Sequence, residues 1–367
     1  MLRDLREEGH INFSLSKGSE HCAILSRETG RLSYKLDPME ICVTGAEGFI
    51  GSHLVERLLS EGHNVRALVQ YNSFNSLGWL KACEQSQGLE IVMGDVRDPE
   101  QMNTFVDGSE SVMHLAALIA IPHSYQAPAS YLETNVMGTL NVLNAAKRAG
   151  VQRFVQTSTS EVYGTALSVP ITEEHPLQGQ SPYSASKIGA DALAYSYWAS
   201  FGLPVVTLRP FNTFGPRQSL RAVIPTLLAQ VIAGKDSVSL GSISPTRDFT
   251  YVDDTVSGFI AALSAQDVEG KTLNLGTGYE ISIGDLVKLV GEVVGREIAV
   301  NVSDERLRPP GSEVERLLSD NTKARILMGW SPGLAGLDGL KEGITRTMHW
   351  IEPFVKDGSI KAGTYVK

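Results

Sequence analysis

Tyr183 and Lys187 stand four residues apart in Tyr183-Ser184-Ala185-Ser186-Lys187, at the head of a stretch of helix length. That spacing puts both side chains on one helix face. A free tyrosine has a pKa of about 10, too high for a base at neutral pH. A nearby ammonium, together with a nicotinamide cation, favours the phenolate and lowers that value. Such a pair suits removal of an alcohol proton while hydride leaves the same carbon. Upstream runs Thr157-Ser158-Thr159-Ser160-Glu161-Val162-Tyr163-Gly164. The hydroxyls of Thr159 and Ser160 can orient a substrate alcohol against Tyr183, and Glu161 adds a carboxylate.

A second constellation is Thr44-Gly45-Ala46-Glu47-Gly48-Phe49-Ile50-Gly51, between a β-rich run and a helical stretch. Gly45, Gly48 and Gly51 permit a tight turn close to a pyrophosphate, which then rests on the N–H groups of Phe49, Ile50 and the rest of the helix start. The spacing is GxxGxxG, not the common GxGxxG. An acidic residue for the adenosine ribose is expected near the end of the second strand. The strand ends Val69-Gln70-Tyr71-Asn72-Ser73 instead, so polar groups of Gln70, Asn72 and Ser73 are the candidates. No arginine falls there to meet a 2′-phosphate, which favours NAD over NADP. Asp95, followed by Val96, could accept from the adenine amino group. Asp98, directly before Pro99, reads better as a helix N-cap.

These groups need a scaffold, and the pattern around them supplies one. Glu40–Thr44, Val65–Gln70, Leu89–Met93, Ser111–Leu115, Val151–Thr157 and Pro204–Arg209 read as buried strands. Phe49–Glu61, Asp98–Val106, Tyr131–Ala149 and Tyr183–Phe201 read as helices. Alternation of this kind implies crossover units and a parallel sheet. Three segments are expected: 1–38, an extension of unknown role; 39–210, a dinucleotide-binding domain; and 211–367, mainly substrate-binding and partly interleaved with the first. Residues 1–38 lack a secretory pattern. They are either added residues or the product of an upstream start codon, with Met39 the natural beginning, or a genuine extension that packs on the domain.

Length and composition bound the rest. The chain has 367 residues, 42% hydrophobic and 20% charged, which excludes disordered, collagenous and coiled-coil classes. Asp and Glu outnumber Lys and Arg by 41 to 32, and no basic run occurs, so nucleic acid and anionic membrane are not expected partners. The longest apolar stretch, around Val112 to Ile121, is too short to cross a bilayer. Cys22, Cys42 and Cys83 show no CxxC spacing. That argues against a disulfide scaffold and a zinc site, and for a reduced, cytoplasmic setting.

The segments Thr44–Gly51, His114-Leu115-Ala116-Ala117, Thr157–Gly164, Tyr183–Lys187 and Arg209-Pro210-Phe211-Asn212 resemble, in content and order, the extended short-chain dehydrogenase/reductase family acting on nucleotide sugars. The resemblance covers about Met39 to Trp350. It implies a Rossmann-type doubly wound parallel sheet with a smaller C-terminal α/β substrate-binding domain. It further implies NAD lying along Leu115, Ala116, Ala117, Thr157 and Pro210 as well as the glycine turn, Tyr183 and Lys187. Asn212 would bind the substrate diphosphate, while Arg217, Arg247 and Arg308 would grip phosphate or base as guanidinium forks can. A homodimer through Tyr131–Ala149 and Tyr183–Phe201 is expected by the same likeness.

Thr159-Ser160-Glu161 points within the family to a 4,6-dehydratase, which needs a base for the C5 proton. Sugar 4-epimerases usually lack the glutamate. Glucose-type dehydratases resemble Thr-Asp-Glu, with the Asp as acid for the departing 6-hydroxyl; Ser160 leaves that acid open. The GDP-mannose 4,6-dehydratases read Thr-Ser-Glu, so Glu161 could carry the proton from C5 to O6. UDP-glucuronate decarboxylases share Ser-Glu-Val-Tyr but typically place an arginine just before the tyrosine, where this chain has Gln180-Ser181-Pro182. Tyr71–Leu80, Ala117–Tyr125, His175–Asp191 and Ser244–Thr255 resemble the bacterial N-acetylglucosamine 4,6-dehydratases of legionaminic acid biosynthesis, which use NAD and a UDP- or GDP-linked sugar. Two further alternatives remain: a non-catalytic nucleotide sensor, which should have lost Tyr183, Lys187 or Glu161, and an ordinary NADPH reductase, which would not need Glu161.

Overall fold

A computed structural model of the chain describes residues 22–25, 32–35 and 37–361. β1 (Cys22–Leu25) and β2 (Leu32–Lys35) form an antiparallel pair separate from the main sheet. β3 (Glu40–Thr44) enters α1 (Phe49–Ser60) through the glycine turn, and β4 (Asn64–Gln70) and β5 (Leu89–Gly94) follow. Next come α2 (Pro99–Val106), β6 (Ser111–His114), α3 (Ile121–Gln126) and α4 (Pro128–Tyr131). A π-helical turn, Leu132–Met137, leads into α5 (Gly138–Ala149), then β7 (Arg153–Thr157), α6 (Pro182–Phe201), β8 (Val205–Pro210) and β9 (Thr213–Phe214). The remainder comprises α7 (Val223–Ile232), β10 (Ser237–Leu240), β11 (Thr246–Asp248), β12 (Thr250–Tyr251) and α8 (Val252–Ser264). It ends with β13 (Thr272–Leu275), β14 (Glu280–Ser282), α9 (Ile283–Val294), β15 (Ala299–Val302), α10 (Thr322–Met328) and α11 (Gly336–Lys356).

Seven strands form one parallel sheet in the order β13-β8-β7-β6-β3-β4-β5. Alternate residues of β3 explain the two covered faces. Ile41 and Val43 join a core with Leu54, Val55 and Leu58 of α1 and Phe259 of α8. Cys42 points into the other core, with Met102 and Phe105 of α2, Val142 and Leu143 of α5 and Ala194 of α6. Period-two alternation with both sides apolar is what a sheet buried between helix layers requires. From β3 the chain moves outward through β4 and β5, then returns to β6 on the opposite side. The order therefore reverses between β3 and β6, and a crevice opens at their carboxyl ends.

The expected strands and helices form within a residue or two of their anticipated bounds, with one difference. The stretch Tyr131–Ala149 is not one regular helix: the π turn interrupts it. There the buried Asn135 accepts from the Leu118 N–H (2.8 Å) and donates to the Leu118 carbonyl (2.9 Å) and the Ser186 hydroxyl (2.9 Å). The wide turn carries a side chain that ties the Leu118 loop to α6 at the edge of the cleft, and such bulges are frequent at functional sites. Beyond Pro210, β13 pairs with β8 and completes the sheet, so the second half supplies one strand of the first. Without it, β8 would present an open edge. The rest of that half holds only two-stranded pairs, β10 with β15, β11 with β14 and β12 with β9, packed against α7, α9 and α11.

Apart from β1 and β2, most of the 1–38 extension lies outside the described residues. Because the main sheet starts at Glu40, removal of residues 1–38 should leave folding and NAD binding intact, with a melting temperature within about 4 °C of the full chain. Thermal melting with and without NAD checks this; an insoluble truncated chain would show that the segment is part of the fold.

Candidate active site

Thr44 ends β3 opposite His114, which ends β6. The Thr44 hydroxyl lies 2.8 Å from His114 Nδ1 and accepts from the Leu115 and Ala116 N–H groups, both at 3.1 Å. The glycine turn and the Leu115–Ala117 loop are thus held face to face. Gly45 has φ +66°, and a Cβ there would lie 2.8 Å from the Ala116 nitrogen, so only glycine fits. α1 opens at Gly48 with no side-chain cap, leaving its first N–H groups for a ligand. Together these walls bound a cleft of about 1170 Å³.

Tyr183 enters the cleft from the first turn of α6. Pro182 occupies the first helical position, and Ser181 and Ser184 cap each other's backbone N–H. Lys187, one turn on, donates to the Thr157 carbonyl at 2.7 Å. Burial pushes the Lys187 ammonium down to about 8, opposed by the carboxylate of Asp191. Burial raises the Tyr183 phenol, and a hydrogen bond with the Thr159 hydroxyl opposes that rise. The protein alone therefore stores Tyr183 as a phenol. Cationic charge brought into the cleft is what would favour its ionised form.

Thr159 also accepts from the Glu161 N–H at 3.2 Å, which starts the short turn Ser160–Tyr163. Glu161 is buried, with its Oε2 3.9 Å from Arg308 Nη1. Arg308 Nη1 has no hydrogen-bond partner, and neither has Asn212 Oδ1 or Thr157 Oγ1. All line the cleft. Arg247 is buried, donates to the Thr246 carbonyl at 2.9 Å and pairs with Glu313 at 3.4 Å. It lies in β11, not in a loop as its surroundings in the sequence suggest. Arg217 is held by Glu56 at 2.7 Å and Ser52 at 3.2 Å on α1, so only part of its fork faces the cleft.

Almost every residue expected at the site does line the cleft, including Gln70, Asp95, Val96 and Pro210. Asn72 and Ser73 do not. The Asn72 amide donates to the Gln70 and Ser76 carbonyls and accepts from the Ser76 N–H, closing its own turn. Asp95 is bonded by the Arg97 guanidinium, which holds its carboxyl below the usual range. Asp98 caps α2 through the Glu100 and Gln101 N–H groups, as expected. Sequence reasoning missed Asn135, Glu313 and the cleft-lining segment Leu118–Gln126, because their roles depend on long-range contacts. Glu47 was visible in the glycine motif and given no role.

The residues present fit a dinucleotide. The uncapped helix start faces the cleft, and the orphaned polar atoms Glu47 Oε2 and Thr157 Oγ1 lie in residues that line it. Among the described residues no cluster of metal-ligand type occurs. Fold and site together define an NAD-dependent short-chain dehydrogenase/reductase of the extended type that handles nucleotide sugars. Residues 42–343 match the GDP-mannose 4,6 dehydratase family, and the chain belongs to it. It is 34% identical to a UDP-glucose 4-epimerase of Mycolicibacterium smegmatis, covering 85% of this chain and 98% of that one. It is equally 34% identical to a dTDP-glucose 4,6-dehydratase of Streptomyces griseus, covering 88% and 99%. The crystal structure of a dTDP-glucose 4,6-dehydratase from Streptomyces venezuelae with NAD bound superimposes with a TM-score of 0.78 at 29% identity, covering 86% and 97%.

Replacing Tyr183 by Phe keeps the ring but removes the proton acceptor. Tyr183→Phe should bind NAD normally and lose at least about a hundredfold in turnover, the scale of a general base. Steady-state kinetics beside an NAD titration checks it; near-normal turnover would remove Tyr183 from the chemistry.

Proposed function

We propose that this enzyme dehydrates a nucleotide-linked hexose to its 4-keto-6-deoxy form, with UDP- or GDP-N-acetylglucosamine as the substrate. The observation that carries the reading is Glu161, a buried carboxylate in the same cleft as Tyr183 and joined to it through Thr159. An epimerase acting only at C4 has no use for a base there. Bound NAD supplies the acceptor for hydride from C4 and its return to C6.

The chain's own groups handle the protons. Tyr183 takes the O4 proton as the carbon is oxidised, with Thr159 orienting the hydroxyl. The resulting ketone acidifies the neighbouring C5–H, and Glu161 removes that proton. Once protonated, Glu161 delivers it to O6, which departs as water and leaves a 5,6 double bond. With hydride returned to C6, Glu161 relays a solvent proton to C5, and Tyr183 gives up the O4 proton to solvent. Asn212 and Arg308, each with an unpartnered polar atom, are the proposed grips on the diphosphate and nucleotide, supported by Arg247 and Arg217. The acetamido sugar rests on the likeness of Tyr71–Leu80 and Ala117–Tyr125 to the dehydratases of legionaminic acid biosynthesis. The apolar side chains of Leu118, Ile119 and Ile121 on the cleft wall suit an acetyl methyl. We further propose a cytoplasmic homodimer through α5 and α6, where Tyr195 and Phe201 of α6 and Leu132 and Met137 of the π turn are exposed.

Glu161→Gln separates the two halves of the reaction. Gln is nearly isosteric but cannot remove a proton from C5 at neutral pH. Oxidation at C4 depends on Tyr183 and Lys187, so it should survive. The variant should accumulate bound 4-keto sugar that keeps its 6-hydroxyl, with no solvent deuterium entering C5, and product release should fall at least about a hundredfold. Mass spectrometry of products from a nucleotide-sugar panel reads the wild type directly. Loss of one water supports dehydration, loss of carbon dioxide supports decarboxylation, and unchanged mass with altered configuration supports epimerisation. Wild-type rates of 4-keto-6-deoxy product from Glu161→Gln would overturn the assigned role.

A further inference from the structure

Dinucleotide folds commonly hold the adenosine ribose with an acidic side chain at the end of the second sheet strand. In this chain that strand is β4, and its end carries no acid: Gln70 is followed by Tyr71, Asn72 and Ser73. Tyr71 is exposed, and the Asn72 amide is spent on its own turn. The position is nevertheless not without a carboxylate. Glu47, in the glycine turn after β3, reaches across to β4, where its Oε1 accepts from the Gln70 N–H at 2.8 Å. Its other oxygen, Oε2, is buried and has no donor. Glu47 lines the cleft alongside Gly48, Gln70 and Trp79.

The backbone fixes it there. The Glu47 carbonyl accepts from the Trp79 N–H at 3.1 Å, and Gly78, at φ +53°, packs so closely that a Cβ would lie 2.7 Å from that carbonyl. We propose that Glu47 takes the place of the missing strand-end acid: its carboxylate holds the ribose hydroxyls of NAD and turns away NADP. A buried carboxylate oxygen without a donor is costly, and a ribose hydroxyl is a donor of the right size and reach. A 2′-phosphate would instead bring a second negative charge against it. Arg97, which also lines the cleft, cannot easily offset that charge, because three hydrogen bonds commit it to Asp95.

The proposal concerns only the adenosine end of NAD, so it stands or falls apart from the dehydratase reading. Calorimetric titration of the full chain with ADP, 2′-deoxy-ADP, NAD and NADP tests it. The wild type should prefer ADP over 2′-deoxy-ADP by about tenfold, the worth of a hydrogen bond to a charged group. Glu47→Ala should bind the two alike, and Glu47→Gln, which keeps an acceptor for Gln70, should lower the NAD-over-NADP preference by about tenfold or more. Asn72→Ala should retain the ADP preference. A wild type that binds ADP and 2′-deoxy-ADP equally would overturn the proposal, whatever the variants do. So would variants that weaken both nucleotides by the same factor, an unchanged NAD-to-NADP ratio in Glu47→Gln, or loss of the ADP preference in Asn72→Ala.

Discussion

A neutral imidazole at the strand-order reversal organises this molecule. His114 is fully buried between β3 and α5, with Nδ1 2.8 Å from the Thr44 hydroxyl and Nε2 3.0 Å from the Thr139 hydroxyl. Burial, with the nearby Lys187 charge, pushes its pKa down to about 3. At any pH where the protein works the ring is uncharged, and one nitrogen donates while the other accepts. Hydroxyls suit both roles, which explains why threonines flank it on either side. Through Thr44 the same ring fixes the N–H groups of Leu115 and Ala116. The width of the crevice is therefore set by a hydrogen-bonded chain running from β3 through β6 to α5.

That neutrality matters because Lys187 must be the cation of this region. A protonated His114 would place a second buried positive charge near it, at considerable cost in a medium of low dielectric. Asp191 balances Lys187 from the next turn of α6, and it is itself held by Arg209 and the Ser158 hydroxyl. Arg209 reaches on to Tyr163, whose hydroxyl donates to Asn274 of β13. The charge on Lys187 is thus supported by a buried network that spans β7, β8, α6 and the strand contributed by the second half. The sheet-completing role of β13 and the electrostatics behind Tyr183 and Lys187 are one arrangement.

How much of this was legible in the sequence follows from range. The strand–turn–helix around Gly45–Gly51 and the Tyr183–Lys187 pair depend on neighbours within a turn or two, and both were readable. Asp98 as a cap was readable for the same reason. Asn72 and Ser73 fall outside the cleft lining, and strand-end polarity does not reveal that the Asn72 amide will close its own turn. Arg217 was expected to grip phosphate or base, and its ion pair with Glu56 on α1, far away in sequence, left no local sign. The π turn at Asn135 was hidden because helix periodicity says nothing about a side chain recruited by Leu118 and Ser186. Interleaving of the second half with the first was expected, but which strand crosses left no local trace, since any short apolar strand could have filled the edge beside β8.

The similarity to both an epimerase and a dehydratase has a physical explanation in this geometry. In the proposed mechanism everything that oxidises C4 sits on α6, β7 and the two loops at the strand reversal, and both reactions need all of it. What distinguishes them is whether a group stands within reach of C5. The group we propose for that role is Glu161, placed by a turn that starts at Thr159, whose hydroxyl accepts from the Glu161 N–H and also hydrogen-bonds Tyr183. Arg308 lies 3.9 Å from Glu161 and 3.8 Å from Glu313, close enough for attraction but beyond hydrogen-bond reach of either. A cation shared in this way supports a nearby carboxylate without occupying its lone pairs. Glu161 therefore keeps its oxygens available to accept a proton, and Arg308 keeps a donor available for a negatively charged part of the substrate. On the proposed reading, the outcome of the shared oxidation turns on Glu161 and the neighbouring Arg308, with no change to the frame that carries the hydride.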